Sequence, residues 1–196
     1  MTLQIKEETP QDIIRRYSAL WNEEVEEIAL AIALVESEYN PNAKNPNSTA
    51  KGIFQFLDGT WEEKCEGDPL NAEDNIKCGV ELIGKKEIWR WESSQDKWSP
   101  LLSPTLQAKI REECSCVVYA QSRGLAVSGN ADDILPNSPP IVGGGILFQY
   151  PQAGHIALIR NITDTGFIIE ESNYKRCKKT ERLVDFNDKY IRGFIN

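Results

Sequence analysis

Glu36, Cys116 and His155 are the residues of this 196-residue chain whose types and settings could do chemistry. Glu36 closes the apolar run IALAIALVES and is followed by NPNAKNPNSTAKG, a stretch dense in Asn, Pro and Ser. A carboxyl group at such a helix end loses part of its hydration, which favours the neutral form and raises its pKa. A raised pKa is what a general acid needs to protonate a leaving oxygen near neutral pH. The plainer alternative is a solvated helix-end carboxylate, and position alone does not choose between them. Cys116 follows Ser115 at the expected start of a helix, where the thiolate, the reactive form, is favoured. His155, the single histidine, opens the apolar strand GHIALI, where a satisfied core histidine would look the same. Glu171 and Asn173 fall on the next strand, and alternation puts both on one face with Glu170 on the other. A thiol, an imidazole base and a third polar group that orients the base are the arrangement acyl transfer requires.

The elements that must hold these groups follow from periodicity. Ile13, Ile14, Tyr17, Leu20 and Trp21, then Val25, Ile28, Ile32 and Val35, recur at helical spacing. Two helices fit, broken near Trp21–Glu23, with Asn22 as cap of the second. That second helix is apolar almost all round and so belongs to the centre of a core. Short helices are expected around Gly59–Lys64 and Asn75–Lys86. WSPLLSP, Trp98 to Pro104, carries two prolines and little periodicity, and the domain boundary is placed there. Beyond it, a helix from Ser115 to Gly124 precedes IVGGGILFQY, GHIALIRNI, GFIIEESNY and ERLVDF, which read as strands rich in Ile and Val. The expected fold class is two domains, an all-α domain over 1–100 and an α+β domain with an antiparallel sheet over 105–196.

Composition narrows the function. The formal net charge of −8 argues against nucleic acid, whose phosphates demand Lys and Arg clusters. It also gives no attraction to anionic wall polymers or membranes, so binding there must come from a shaped cleft. No stretch reaches the roughly 18–20 apolar residues of a membrane span. MTLQIKEETPQDIIRR is charged and lacks the apolar centre of a secretory signal. With one histidine no multi-histidine zinc centre is expected, and neither metal nor cofactor is called for.

ALVESEYNPNAKN, AKGIFQFLDGTW and NAEDNIKCGVELI resemble, in order, the blocks of the lytic transglycosylase and goose-type lysozyme family. The correspondence runs through Glu36-Ser37, Tyr39-Asn40-Pro41-Asn42-Ala43, Gly52 to Gln55, Thr60-Trp61, and Asn75-Ile76 with Gly79. The resemblance implies a lysozyme-like helical fold with Glu36 as the acid. It also implies Ser37, Tyr39, Gln55 and Asn75 at the sugar. Glu38 is set aside because position i+2 on a continuing helix points about 200° away from i. A glycosidase normally uses two carboxylates, and no motif supplies the second; Asp58 and Glu73 are the alternatives for a carboxylate that reaches the cleft. With one, Glu36 protonates the leaving oxygen and then acts as base on the sugar's own 6-hydroxyl, leaving a 1,6-anhydro end. Direct hydrolysis stays open. Trp61, Trp89, Trp91 and Trp98 could stack on sugar rings or fill the core.

CVVYAQSRGL, GGGILF, GHIALI, EESNY and RGFI resemble the CHAP domain, a papain-like family of cysteine amidases and endopeptidases acting on peptidoglycan. The resemblance implies Cys116 as nucleophile, His155 as general base, Glu171 as the acceptor that orients it and Asn173 as an assistant. Cys114 is the rival nucleophile within C-S-C, and the family's Cys before Val-x-Tyr selects Cys116. The remaining cysteines then suggest bridges Cys65–Cys78 and Cys114–Cys177, against the alternative of reduced thiols in a cytosolic protein. Together the resemblances imply a monomeric enzyme that opens peptidoglycan at glycan and peptide. Such an enzyme works outside the cell, in the wall or periplasm, as an exported or phage-encoded protein. The alternatives are a wall-binding or virion structural protein without catalysis, and a papain-like protease with a helical accessory domain.

Overall fold

The structure, a computed structural model, describes residues 7–196. Residues 1–6, on which part of the reading of the charged N-terminus rests, lie outside them. The chain divides into a first compact unit ending at Gln107 and a second, Ala108–Asn196.

In the first unit, α1 (Pro10–Ser18) begins with a capping box. Thr9 accepts from the Asp12 amide, Asp12 accepts from the Thr9 amide, and Pro10 fills the first turn. Asn22 accepts from the Val25 amide at 3.0 Å and starts α2 (Glu23–Ser37), whose first turn carries Glu23, Glu24 and Glu26. Val25, Ile28, Ala29, Ala31, Ile32 and Ala33 are buried along it, and α1 and α4 pack against it. α3 (Asp58–Lys64) and α4 (Ala72–Gly84) follow, then 3-10 turns over Ile88–Ser94 and α5 (Gln95–Trp98); α6 (Pro104–Glu113) runs across the division at Gln107. Trp98, at the head of WSPLLSP, is fully buried and donates its indole N–H to the Trp91 carbonyl.

Two glycines of the sequence blocks are explained by close approach. A Cβ on Gly79 of α4 would lie 2.5 Å from the Phe54 ring. Gly52 has φ +78°, and a Cβ there would meet the Pro69 carbonyl and the Asn75 amide nitrogen, each at 2.2 Å. Asn75 itself is fully buried. Its Oδ1 accepts from the Phe54 amide at 2.9 Å and its Nδ2 donates to the Pro69 carbonyl at 2.8 Å. This corrects the expectation of Asn75 at the sugar: both ends of its amide are spent holding the 52–54 and 67–69 loops to α4. Asn75→Ala leaves both backbone groups buried without partners, and each costs about 1–3 kcal/mol. The variant should unfold at lower temperature and lower urea concentration, and a parent-like midpoint would refute that role.

In the second unit α7 packs against a five-stranded antiparallel sheet of order β4-β3-β2-β1-β5. The strands are β1 (Gly145–Gln149), β2 (Gly154–Ile162), β3 (Gly166–Lys175), β4 (Lys178–Asp185) and β5 (Ile191–Ile195). α7 (Cys116–Ser122) is capped by Ser115, which accepts from the Val118 amide. Val117, Tyr119 and Ala120 of α7 pack on Leu147, Ile156 and Leu158. A second cluster gathers Ile146, Phe148, Ala157, Ile159, Phe167, Ile169 and Val184. With apolar clusters on both sides, β2 reads as a continuous apolar run rather than an alternating one. Helices in the first unit and an antiparallel sheet in the second are the fold classes expected of the two halves.

Disulfides join Cys65 to Cys78 and Cys114 to Cys177, and Cys116 is the free thiol. The bridges span 13 and 63 residues, for which chain entropy assigns about 3 and about 4 kcal/mol. Alkylation of the unfolded, non-reduced protein should add one label, and reduction first should raise this to five. A mass showing five labels without reduction would refute the pairing.

Candidate active sites

The first site forms where α2 stops. Glu36 lies in the last turn of α2, and the helix ends because Glu38 and Tyr39 adopt left-handed φ of 53° and 64°. Gln55 is left-handed as well, at 50°. Non-glycine residues pay for that conformation, and such strain gathers at functional sites. Glu38 is therefore not on a continuing helix, as the 200° argument supposed; it is the exposed C-cap, turned away by its own backbone.

Glu36 lines a cavity of about 230 Å³ with Gln55, Phe56, Arg90, Trp91 and Ser93 among its walls. Ser94 donates its hydroxyl to Glu36 Oε1 at 2.5 Å. Burial pushes the Glu36 carboxyl above its ordinary pKa, against the smaller opposing pull of the Ser94 hydrogen bond and the Lys97 charge. Gln55 donates Nε2 to the Gly52 carbonyl at 2.8 Å and the Ala43 carbonyl at 3.3 Å, which keeps its Oε1 as the acceptor left for a ligand. Glu36 is the sole carboxylate of the lining. Asp58 is 2.7 Å from Lys51 and Glu73 is held by Arg16 and Tyr17, both outside that lining.

Two further residues expected at the sugar are occupied elsewhere. Ser37 donates to the Ile53 carbonyl at 2.8 Å, pinning the helix end to the Gly52–Gln55 loop. Tyr39 donates its hydroxyl to the Leu30 carbonyl at 3.1 Å and folds back on α2. Their hydroxyl protons are used inside the protein, which leaves each half-buried oxygen only as an acceptor. Of the tryptophans, Trp61, Trp91 and Trp98 are buried, and Trp89 lies under the Arg90 guanidinium at 4.6 Å. Trp91 alone of the four lines the cavity, its N–H tied to the Phe54 carbonyl at 2.9 Å.

The second site lies at the head of α7. Cys116 is the first residue of the helix, where a backbone N–H has no intrahelical acceptor. His155 stands across from Phe148 in the β1–β2 pairing and is buried. Its Nε2 lies 3.0 Å from Glu171 Oε2, which leaves Nδ1 as the nitrogen for the thiol. Glu171 is fully buried, and its Oε1 accepts from Arg182 Nε at 2.7 Å and from Thr180 at 3.4 Å.

Charge follows from these contacts. Burial opposes ionisation of the Cys116 thiol, but the hydrogen bond and charge of His155, with the amides of Ile156 and Val117, bring it below the ordinary thiol range. Burial likewise works against a charged His155, yet Cys116 and Glu171 together raise it to about 9. Both shifts favour a thiolate facing an imidazolium. Cys114, the rival nucleophile, is in its disulfide.

The strand alternation expected to run through Asn173 is corrected. Alternation holds to Glu171 and fails after Ser172, where the β3–β4 register shifts and Asn173 takes φ of 63°. Its Oδ1 accepts from the Cys177 amide at 2.9 Å and so caps the turn. Sequence reasoning missed Ser94, Arg90, Tyr150, Thr180 and Arg182. Ser94 is 58 residues from its partner, in a polar run without pattern. A register could have found two of them, since Thr180 pairs with Glu171 and Arg182 sits two residues on.

Among the described residues no group of three His, Cys, Asp or Glu could hold a metal ion. No helix among them is long and apolar enough to cross a membrane. Neither curated proteins nor solved structures match the chain. Residues 14–94, which include Glu36, Gln55, Trp91 and Ser94, match the family model described as Transglycosylase SLT domain, a likeness to enzymes that act on cell-wall peptidoglycan.

Proposed function

We propose that the chain cuts peptidoglycan at two kinds of bond, with a lysozyme-like lytic transglycosylase domain over 1–100 and a CHAP-type amidase or endopeptidase domain over 105–196. The observation that carries the first half is a cavity within the Transglycosylase SLT match whose one carboxylate, Glu36, is held in a pKa-raising setting. Ser94 donates to Oε1, so the proton of neutral Glu36 sits on Oε2. That proton goes to the glycosidic oxygen between MurNAc and GlcNAc as the bond to C1 breaks. The carboxylate then takes the proton of the sugar's 6-hydroxyl while O6 closes on C1. The ends are a 1,6-anhydro sugar and a free hydroxyl, Glu36 is again protonated, and no water is consumed. The absence of a second carboxylate from the lining favours this route over two-carboxylate hydrolysis.

In the second half the Cys116 thiolate attacks the carbonyl carbon of a stem-peptide or MurNAc–peptide amide. The backbone N–H of Cys116 faces the developing oxyanion. The His155 imidazolium protonates the leaving amine, and the neutral imidazole then deprotonates the water that hydrolyses the thioester. The Cys116–His155–Glu171 line supports this reading. The two disulfides suit an enzyme working extracellularly, in the wall or in the periplasm.

Mass spectrometry of fragments from purified peptidoglycan tests both halves with the parent, Glu36→Gln and Cys116→Ala. Anhydro-ended fragments should vanish only in the first variant and free stem peptides only in the second. Reducing ends would make the first half a lysozyme. Casein cleavage without wall cleavage would make the second a protein protease, and intact wall of every type would leave a binding role.

A further inference from the structure

We propose that Arg182 is a positioning residue of the thiol site, its guanidinium fork fixing both the orientation and the ionised state of Glu171. The proposal rests on the thiol chemistry described above and adds a group that the chemistry itself does not require. Arg182 lies on β4 opposite Ile169, one alternation from Thr180, which pairs with Glu171. The fork therefore reaches Glu171 diagonally across the β3–β4 ladder. Nε donates to Oε1 at 2.7 Å and Nη2 leans on Oε2 at 3.4 Å. Nη2 also donates to the Tyr150 hydroxyl at 2.9 Å. The guanidinium carbon sits 4.3 Å from the Tyr174 ring centroid and 5.4 Å from that of Phe148. Ring faces and a phenol thus leave the fork little freedom.

The charges explain the need. Cys116 from α7 and Glu171 from β3 are the anions, and His155 from β2 and Arg182 from β4 the cations. Tyr150, Tyr174, Thr180 and, behind Tyr150, Tyr190 complete the wall as neutral groups. Lys179 pairs with Glu112, and Arg123 and Arg160 pair with Glu170. Without Arg182 the thiolate form of the site carries one unbalanced negative charge in a buried place. Burial would push Glu171 up, but the hydrogen bonds from His155 and Arg182 hold it below the ordinary carboxylate range. Removing Arg182 raises the proton affinity of Glu171, and a protonated Glu171 no longer holds the imidazolium that stabilises the thiolate. The pH at which Cys116 becomes reactive therefore moves up.

Iodoacetamide labelling of Cys116 against pH, in the full chain with its disulfides intact, tests this without any wall substrate. Arg182→Met should shift the ascending limb upward by about one pH unit or more, a tenfold loss of labelling rate on that limb. Arg182→Lys keeps the charge and loses the fork, so its limb stays while stem-peptide release falls about 10–100-fold, the worth of a charge-assisted hydrogen bond. Arg182→Gln, with a donor but no charge, should repeat the shift should the Met variant fail to fold. A folded neutral variant, by circular dichroism and thermal unfolding, whose curve overlays the parent's would overturn the proposal. So would a Lys variant whose limb moves as far as the Met variant's. A parent that labels with this pH dependence yet releases no stem peptide would sink the amidase reading and leave the role of Arg182 standing.

Discussion

Glu36→Gln should lower the release of glycan fragments by about 10²–10⁴-fold, the range that general acid–base catalysis contributes, and leave stem-peptide release unchanged. Glutamine keeps the shape, and its carbonyl oxygen still accepts the Ser94 hydroxyl that Glu36 accepts at 2.5 Å. Lost is the proton that must be given to the glycosidic oxygen and taken back from the 6-hydroxyl. The pH profile of the parent has a definite sign. Burial raises Glu36, so the acid form persists above the ordinary carboxylate range, and activity falls as pH rises through that raised value. Ser94→Ala removes a hydrogen bond that lowers the pKa, so its alkaline limb should move further up. Folding favours the protonated carboxyl, and the stability Glu36 contributes is present below its unfolded pKa and lost as pH rises through the folded one. At neutral pH Glu36→Gln should therefore unfold at a higher temperature than the parent while being inactive on glycan. Measured fragment rates and melting temperatures of the two variants decide this. A Glu36→Gln protein with parent-level glycan release would remove Glu36 from the chemistry.

The parts of this architecture readable in sequence are those set by local rules. Apolar spacing and the Asn22 cap locate α2, and runs of Ile and Val between turn residues locate β2 and β3, which begin at Gly154 and Gly166. Chemistry-bearing types were legible where a rare residue met a local element, as with the lone His155 and the thiol after Ser115. Illegible were features that depend on long-range packing or on backbone forced out of its preference. Asn75 carries a polar side chain in a helix, and nothing local says that the 52–54 and 67–69 loops close over it. The left-handed residues Glu38, Tyr39 and Gln55 are not turn formers, so no turn signal announced them, and Asn173, a residue that tolerates this conformation, sits inside a strand pattern that hid it. At Asn173 the turn breaks the period of two from which its role was inferred. Arg182 reads as one more surface charge until the β3–β4 register places it beside Glu171.

Cys116→Ala should abolish stem-peptide release, a loss of up to about 10⁶-fold on the precedent of nucleophile removal in a coupled triad, with anhydro-ended glycan fragments still produced. The pH dependence of the parent distinguishes a working thiol from a buried structural one. The ascending limb follows the thiol, which His155 and two backbone amides hold below its ordinary value despite burial. The descending limb follows the loss of the His155 proton at about 9, because the leaving amine then has no donor. His155→Asn removes the partner that offsets burial, so Cys116 should label with iodoacetamide only above the ordinary thiol range. Stability follows the same groups with opposite signs. His155, raised by its partners, contributes stability present below its unfolded pKa of 6.5 and lost as pH rises through about 9. Glu171, lowered by His155 and Arg182, contributes stability that is lost as pH falls through its folded pKa. His155 and Glu171 should therefore favour the folded second unit between these limits, and the thiolate–imidazolium pair is complete in the part of that window above the lowered thiol pKa. A labelling curve for Cys116 that rises only at the pH of a free thiol, in a folded parent, would show that the pair does not form. The ion-pair mechanism would fall with it, since an un-ionised thiol lacks the charge to attack an amide and the neutral imidazole beside it has no proton for the leaving amine.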